Sequence, residues 1–143
     1  MMIIKTPRSV SGFTLIEIMV VVVILGILAA VVVPNIMSRP GEARITKAET
    51  DIRSLETALS MYKLNHFSYP SNDQGLEALV SKPSSPPIPN NYPSEGYIPR
   101  LPLDPWQNPY QYLYPGDHGS IDIFSYGPDQ QPGDDDIGNW DLN

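Results

Sequence analysis

The first group of residues that could do chemistry lies near the C-terminus of this 143-residue chain. In the segment GPDQQPGDDDIGNW, Asp134, Asp135 and Asp136 are adjacent and Asp129 precedes them. Adjacent carboxylates repel one another unless water or a cation separates their charges. Calcium takes roughly six to eight oxygen ligands, from carboxylates and backbone carbonyls. Because the EF-hand pattern is absent, the residues alone leave both a solvated acidic loop and a cation site open.

The second group, Gly12, Phe13 and Glu17, stands at the head of an almost uninterrupted apolar segment, residues 13–33. A carboxylate in hydrocarbon costs roughly 2.5–3.5 kcal/mol and needs a partner, and we expect none inside one isolated, uncut helix. Cleavage after Gly12 would leave an α-ammonium on Phe13, one helical turn from Glu17 in the same chain or near Glu17 of a neighbouring helix. The alternative is that Glu17 lies near the membrane surface and extends towards water.

The apolar segment is long enough to cross a membrane. As a helix, residues 13–33 would span about 32 Å at ~1.5 Å per residue, close to the ~30 Å of a hydrocarbon core. Lys5 and Arg8 precede the segment and favour a cytoplasmic N-terminus, which places the remainder in the periplasm of a bacterium. A cleaved secretory signal is the alternative, but its apolar core is usually only ~7–15 residues long.

Beyond Pro40-Gly41 the pattern becomes amphipathic. Apolar residues recur at spacings of three and four from Ile45 to Tyr62, which predicts a helix with one stripe packed on the rest of the chain. A coiled-coil partner is the alternative for that stripe. We expect one long helix from Phe13 to about Leu64, kinked or loosened at Pro34, with a second weak point at Pro40-Gly41.

The second half of the chain predicts a small, loop-rich domain. Ser71 and Gln74 form a capping-box pattern before a short helix. Residues 110–114 and 121–126 are strand-like and predict an antiparallel hairpin. Because a hairpin is marginal alone, we expect it to need the long helix and a third short strand. The predicted fold class is therefore α+β, with a long N-terminal helix, transmembrane in its lower half, packed on a small antiparallel sheet.

Composition and spacing argue against several functions. Residues 101–143 contain eight aspartates and no Lys or Arg, a charge that repels nucleic acid and attracts cations. The chain has no cysteine, which excludes disulfide and thiolate chemistry. His118, Asp122 and Ser125 suggest a triad, but there is no G-x-S-x-G elbow, and we predict no catalytic residue and no enzyme.

The remaining histidines and the tryptophans predict packing rather than chemistry. His66 and His118 are interpreted as loop histidines, since neither has zinc-ligand spacing to a second His or Cys. Trp106 and Trp140 are expected to hold loops on the core, with carbohydrate binding as the alternative.

The N-terminal residues carry a family resemblance. SGFTLIEIMVVVVILGILAAVVVP resembles the start of type IV pilins and of type II secretion pseudopilins, and Gly12, Phe13 and Glu17 match their prepilin peptidase site. The resemblance implies cleavage after Gly12, N-methylation of Phe13 and packing of the helices into a filament. It divides the chain into a leader peptide (1–12), a transmembrane and filament-core helix (13–34) and a periplasmic pseudopilin domain (35–143).

The compact half resembles one branch of that superfamily. LPLDPWQNPYQY, IDIFSYGPD and DDIGNW are similar to segments of the major pseudopilins of the type II secretion system. The resemblance implies a pilin-like fold and a homopolymer, a short periplasmic filament that drives folded proteins through the outer-membrane secretin channel. The implied partners are minor pseudopilins, the inner-membrane assembly platform and prepilin peptidase. The alternatives are a type IV pilin for adhesion or motility and a stand-alone membrane-anchored calcium-binding module.

The same resemblance implies calcium in the acidic loop. Carried over residue by residue, it gives as ligands the carbonyls of Tyr126 and Gln131 and the carboxylates of Asp129, Asp135 and Asp136. Asp134 or a water would replace a ligand that the family often places earlier in the loop. We therefore expect a metal-stabilised C-terminal loop that loosens when calcium is removed.

Overall fold

The structure, a computed structural model, describes residues 12–37 and 39–142. The basic residues of the predicted leader, Lys5 and Arg8, lie outside the described residues. Within them the chain forms α1 (Leu15–Met37), α2 (Arg39–His66), β1 (Gln111–Leu113), β2 (Asp122–Ser125) and β3 (Ile137–Gly138), with short 3-10 helices at Leu76–Leu79 and Asn139–Asp141. The chain divides into two compact units between Pro40 and Gly41. The α+β class is as predicted.

Helix α1 belongs to the first unit and carries the apolar segment. It runs through Pro34 and ends at Met37. From Leu15 to Val31 its large apolar side chains are between 51% and 80% exposed. No helix among the described residues is both long enough and apolar enough to cross a membrane. The transmembrane role of this segment therefore stays a prediction.

Helix α2 begins at Arg39 and continues through Pro40 and Gly41. The predicted weak point at these two residues does not interrupt it, because a proline in the first turn of a helix has no hydrogen bond to lose. The helix ends at His66, where Phe67 adopts φ 63° and its N–H donates to the Lys63 carbonyl at 2.7 Å. This left-handed residue closes the last turn.

The predicted apolar stripe of α2 is packed. Ile52, Leu55, Leu59 and Tyr62 are at most 2% exposed, and they form the core together with Ile121, Ile123 and the 3-10 helix at Leu76–Leu79. Ile45, the first residue of the predicted stripe, is 43% exposed, so the packed stripe begins one turn later than expected, at Ala48.

The sheet confirms the predicted hairpin and the third strand. β1 pairs antiparallel with β2 through Tyr112 and Ile123, and β2 pairs antiparallel with β3 through Phe124 and Gly138, giving the order β1-β2-β3. Ile123 points to the core, as the period-two pattern requires. The sheet thus carries the segments that lead into and out of the acidic loop.

The capping box predicted before the short helix is present. The Gln74 N–H donates to Ser71 Oγ at 3.3 Å, and the Ser71 N–H donates to Gln74 Oε1 at 3.1 Å. The helix that follows is a 3-10 helix, Leu76–Leu79. Gln74 Nε2 also donates to the carbonyls of Ser85 and Pro87, which ties the proline-rich loop to this turn.

Candidate functional site

The N-terminal group forms a capping box at the start of α1. The Thr14 N–H donates to Glu17 Oε2 at 3.1 Å, and the Glu17 N–H donates to Thr14 Oγ1 at 3.3 Å. The Thr14 hydroxyl also lies 3.2 Å from Glu17 Oε2. The Thr14 N–H, which a helix start leaves unpaired, is therefore satisfied by the Glu17 carboxylate. The Glu17 N–H is shared between the Thr14 hydroxyl and the Thr14 carbonyl, which lies 3.1 Å away.

This geometry corrects one sequence argument. Glu17 was expected to lack a partner inside its own uncut helix, but the backbone and hydroxyl of Thr14 provide one. Sequence reasoning missed Thr14 as a functional residue, although the signal was present. The T-L-I-E stretch from Thr14 to Glu17 matches the Ser/Thr-x-x-Glu capping pattern.

The predicted cleavage junction lies in exposed, non-helical backbone. Gly12 and Phe13 precede the first residue of α1, Phe13 is 83% exposed, and a Cβ added at Gly12 would meet nothing within 4 Å. A peptidase needs an extended, accessible substrate segment. The structure thus leaves the Gly12–Phe13 bond open to an enzyme.

The acidic loop between β2 and β3 begins with a tightly packed turn. Gly127 has φ 70°, and a Cβ added there would lie 3.1 Å from the Asp135 carbonyl oxygen. The Gly127 carbonyl accepts a hydrogen bond from Gln130 Nε2. The Gln131 N–H donates to Asp129 Oδ1 at 3.0 Å, closing an Asx turn. These bonds fold the loop back on itself, with the carboxylates distributed along it.

The predicted ligand side chains differ in burial. Asp129 and Asp135 are exposed, Asp136 and Tyr126 are half-buried, and Gln131 is exposed. The Asp136 N–H donates to the Gly133 carbonyl at 3.3 Å. Asp136 Oδ1 is buried and makes no hydrogen bond. An unpaired buried carboxylate oxygen is costly, so this atom needs either a cation or a water.

The donor chemistry of the loop fits calcium. The predicted set consists only of carboxylate and carbonyl oxygens, which are the ligands that hard cations take, and Asp136 Oδ1 supplies an oxygen without another partner. In residues 12–37 and 39–142, no three His, Asp or Glu side chains lie close enough together to hold a metal ion. A calcium ion in this loop would therefore depend on backbone carbonyls, such as those of Tyr126 and Gln131, as much as on carboxylates.

The three residues that suggested a catalytic triad are divided between two different hydrogen-bond groups. His118 Nδ1 lies 2.9 Å from Asp122 Oδ2, whereas the Ser125 hydroxyl donates to Asp104 Oδ2 at 2.6 Å. Asp122 is only 1% exposed and also accepts hydrogen bonds from the N–H groups of Asp117 and His118. This carboxylate holds the turn between β1 and β2.

The ionisation of Asp122 reflects two opposing effects. Burial disfavours its charged form, but the hydrogen bonds from the His118 ring and from the N–H groups of His118 and Asp117 outweigh burial and hold its pKa below the ordinary value. Asp122 therefore remains a carboxylate at neutral pH and acts as an acceptor for the turn.

The tryptophans and histidines pack loops. Trp140 stacks on His118 with ring centroids 3.9 Å apart, and Trp106 lies half-buried against the core. His66 was interpreted as a loop residue, which is wrong. It is the last residue of α2, its Nε2 lies 2.8 Å from the Tyr97 hydroxyl, and burial lowers its pKa.

Family models match nearly the whole chain. The model of type II secretion system (T2SS), protein G, matches residues 35–140, and the prokaryotic N-terminal methylation motif matches residues 7–33. The second match contains Gly12, Phe13 and Glu17, the three residues of the N-terminal group.

Individual relatives agree with the family models. The chain is 60% identical over 138 residues to the type II secretion system core protein G of Pseudomonas aeruginosa, covering 94% of this chain and 97% of the relative. It is 62% identical over 133 residues to the protein of the same name from Pectobacterium carotovorum subsp. carotovorum, covering 92% and 85%.

A solved structure agrees with the fold. The crystal structure of the major pseudopilin from the type 2 secretion system of enterohaemorrhagic Escherichia coli matches with a TM-score of 0.71 and 52% identity, covering 78% of this chain and 95% of that one. Sequence and fold therefore lead to the same conclusion: this chain belongs to the type II secretion system protein G family.

Proposed function

We propose that this chain is the major structural subunit of a type II secretion pseudopilus and that it polymerises into a short periplasmic filament which drives the export of folded proteins. The observation that carries the proposal is one combination: a protein G domain at residues 35–140 follows a methylation motif at 7–33. The family match favours this function over a type IV pilin for adhesion or motility.

The exposed apolar surface of α1 supports assembly. Exposed Leu, Ile and Val side chains from Leu15 to Val31 need either lipid or other helices around them. We propose that residues 13–34 anchor the chain in the inner membrane before assembly and form the filament core afterwards. The domain beyond them then lies in the periplasm.

Processing would change the partner available to Glu17. After cleavage at Gly12, the new α-ammonium belongs to Phe13, next to the capping box that holds Glu17 through Thr14. A carboxylate that already caps its own helix start is held in one orientation. It can then meet the Phe13 ammonium of its own chain or of a neighbouring subunit, which would set the stagger between helices in the homopolymer.

The loop after β2 is proposed to bind calcium. Tyr126 and Gln131 would offer carbonyls, and the buried, unpaired Asp136 Oδ1 supports a cation there. Bound calcium supplies the positive charge that the carboxylates of Asp129, Asp135 and Asp136 lack in this acidic segment. The loop residues orient their oxygens and hold the C-terminal strand β3 beside β2.

The partners follow from this role. Prepilin peptidase would cut the open Gly12–Phe13 bond and methylate the new N-terminus. The inner-membrane assembly platform would add subunits to the filament, minor pseudopilins would share its helical packing, and the outer-membrane secretin channel would receive the exported protein.

A complementation experiment tests the function. Expressed in a bacterium that lacks its own protein G, the wild-type chain should restore exported proteins to the culture medium. Gly12→Val should abolish this by blocking cleavage. Gly41→Val is the matched control, because Gly41 lies outside residues 13–34, nothing lies within 4 Å of a Cβ added there, and the junction stays intact.

Intact mass measures the processing directly. The wild-type chain extracted from membranes should begin at Phe13 and carry one methyl group, whereas the Gly12→Val chain should retain its leader. A wild-type chain that keeps Met1, or one that restores surface motility but not secretion, would contradict the proposal.

A further inference from the structure

A buried chain of hydrogen bonds lies directly behind the acidic loop. The Ser125 hydroxyl donates to Asp104 Oδ2 at 2.6 Å, and the Gly127 N–H donates to Ser125 Oγ at 3.1 Å. Asp104 is 1% exposed and Ser125 is 0% exposed. Neither residue belongs to the predicted ligand set, and a carboxylate so completely removed from water requires a specific structural reason.

The carboxylate of Asp104 is held in one orientation. Its Oδ1 accepts hydrogen bonds from the N–H groups of Trp106, at 3.0 Å, and Asn108, at 2.8 Å. The Asp104 N–H donates in turn to the Asn108 carbonyl at 2.8 Å. With Oδ1 fixed by this turn, Oδ2 is left to face Ser125. The DPWQN segment thus holds Asp104 Oδ2 in place for its hydrogen bond with Ser125.

Asp104 determines the direction of the hydrogen bond that the Ser125 hydroxyl donates. A serine hydroxyl has one hydrogen and two lone pairs, and an ionised carboxylate can only accept. Once the hydrogen points to Asp104 Oδ2, the lone pairs of Ser125 are free for a donor. The Gly127 N–H takes that place.

The Gly127 N–H and the Tyr126 carbonyl belong to the same peptide unit. A peptide unit is planar, and in its trans form the N–H and C=O point in opposite directions. Holding the Gly127 N–H on Ser125 therefore directs the Tyr126 carbonyl away from Ser125. Gly127 is itself buried and packs closely on the Asp135 backbone, so the orientation of this peptide unit affects the loop that carries the predicted ligands.

We propose that Asp104 and Ser125 are positioning residues that fix the Tyr126 carbonyl as a calcium ligand before the ion arrives. This inference rests on the proposed calcium function of the loop. Loss of either residue leaves all the predicted ligands in the chain but lets the Tyr126–Gly127 peptide rotate. The calcium affinity should fall at least tenfold, which corresponds to about 1.4 kcal/mol.

The test compares four forms of the full-length chain in detergent: wild type, Asp104→Asn, Ser125→Ala and Ser125→Thr. Calcium chloride is titrated, and the half-saturation concentration is read from thermal stability and from calorimetry. Amide hydrogen exchange at Gly127 is measured without calcium. Asp104→Asn and Ser125→Ala should raise the half-saturation concentration tenfold or more and accelerate Gly127 exchange by a similar factor.

Ser125→Thr separates positioning from stability. It keeps the hydroxyl but adds a methyl group at a fully buried position, so the melting temperature should fall while calcium affinity and Gly127 exchange stay near wild type. Asn72→Ala is a second control. It removes a side chain that bonds the backbone of Tyr114 at 2.7 and 2.8 Å, away from the loop, and should leave the calcium affinity unchanged.

The outcomes are distinguishable. If the wild type binds calcium and both Asp104→Asn and Ser125→Ala bind it equally well, the positioning role is overturned while the calcium proposal stands. If Asn72→Ala lowers the calcium affinity as much as Asp104→Asn and Ser125→Ala do, the positioning role is overturned as well. A general loss of stability would then explain all three results. A wild-type chain without any calcium response overturns the calcium proposal itself, and with it this inference.

Discussion

Asp122→Asn should show how far the hydrogen bonds to the Asp122 carboxylate outweigh the cost of burying its charge. Its Oδ2 lies 2.8 Å from the Asp117 N, 3.1 Å from the His118 N and 2.9 Å from the His118 Nδ1. Asp122→Asn keeps the shape and one acceptor oxygen but removes the charge. Hydrogen bonds to charged groups contribute roughly 1.5–3 kcal/mol and neutral ones roughly 0.5–1.5 kcal/mol.

Three bonds that each lose about 1 kcal/mol give an expected destabilisation of about 2–3 kcal/mol at neutral pH. For a chain of about this length, that lowers the melting temperature by roughly 4–12 °C. A Cβ on Gly116 would lie 2.5 Å from Asp122 Oδ1, so the carboxylate fills its space and a water cannot replace the lost interaction. The effect should therefore approach the upper half of this range.

The contribution of Asp122 to folding stability should decrease at low pH. The pKa of Asp122 is lowered in the folded chain by hydrogen bonds that outweigh burial, so its contribution is fully present above the unfolded value of about 3.9. It is lost as the pH falls through the lower, folded value. The stability difference between wild type and Asp122→Asn should be constant from pH 7 to pH 5 and should close below about pH 4.

The assay is thermal unfolding of the full chain in calcium-free detergent buffer from pH 7 to pH 2.5. Asp117→Asn is the matched control, because Asp117 is exposed in the same turn and only its N–H, not its carboxylate, bonds to Asp122. His118→Gln in both backgrounds removes the imidazole contact with Asp122 Oδ2 and leaves the two backbone N–H donors. The loop carboxylates are the same in every variant, so their contribution cancels in the difference. A difference below about 0.5 kcal/mol at pH 7, where roughly 2–3 is expected, or one that grows on acidification, refutes the reasoning.

Two further predictions concern the loop and the core. Removing calcium with a chelator should destabilise the chain by about 2.7 kcal/mol relative to calcium at a hundredfold its dissociation constant, and equal melting temperatures in the two conditions would contradict a bound ion. Tyr110→Phe removes a buried hydroxyl that donates to Asp51 Oδ2 at 2.8 Å and should cost about 1.5–3 kcal/mol by denaturant unfolding. An unchanged unfolding midpoint would show that this bond does not stabilise the core.

The sequence predicts the fold where a single periodic signal dominates. The stripe ending at Tyr62 and the alternation around Ile123 both depend on burial of apolar groups, and both are confirmed. Helix α2 continues through Pro40, because a proline disrupts a helix only where an N–H is needed and the second residue of α2 does not need one. The two compact units nevertheless divide between Pro40 and Gly41, at the predicted weak point. Boundary errors arise from local capping, as at Phe67, rather than from the hydrophobic pattern.

The candidate sites were predictable only in part. Gly12, Phe13 and Glu17 form a local motif, which sequence spacing reports well, yet the role of Thr14 needed the capping geometry. The bond between Asp104 and Ser125 joins residues 21 positions apart. Nothing in the spacing indicates which buried carboxylate meets which hydroxyl, because that pairing depends on how the DPWQN turn packs against β2.

The two candidate sites differ in how much of the folded chain each one requires. The N-terminal group needs only one helical turn, so its geometry does not depend on the rest of the chain. The proposed calcium site in the acidic loop would need β2, β3 and the buried Asp104, so it would bind only in the folded domain. Because an ion that binds only the folded chain adds its binding free energy to stability, calcium would favour folded subunits without covalent bonds. A chain with no cysteine would then secure its C-terminus reversibly, in proportion to the calcium outside the cytoplasm.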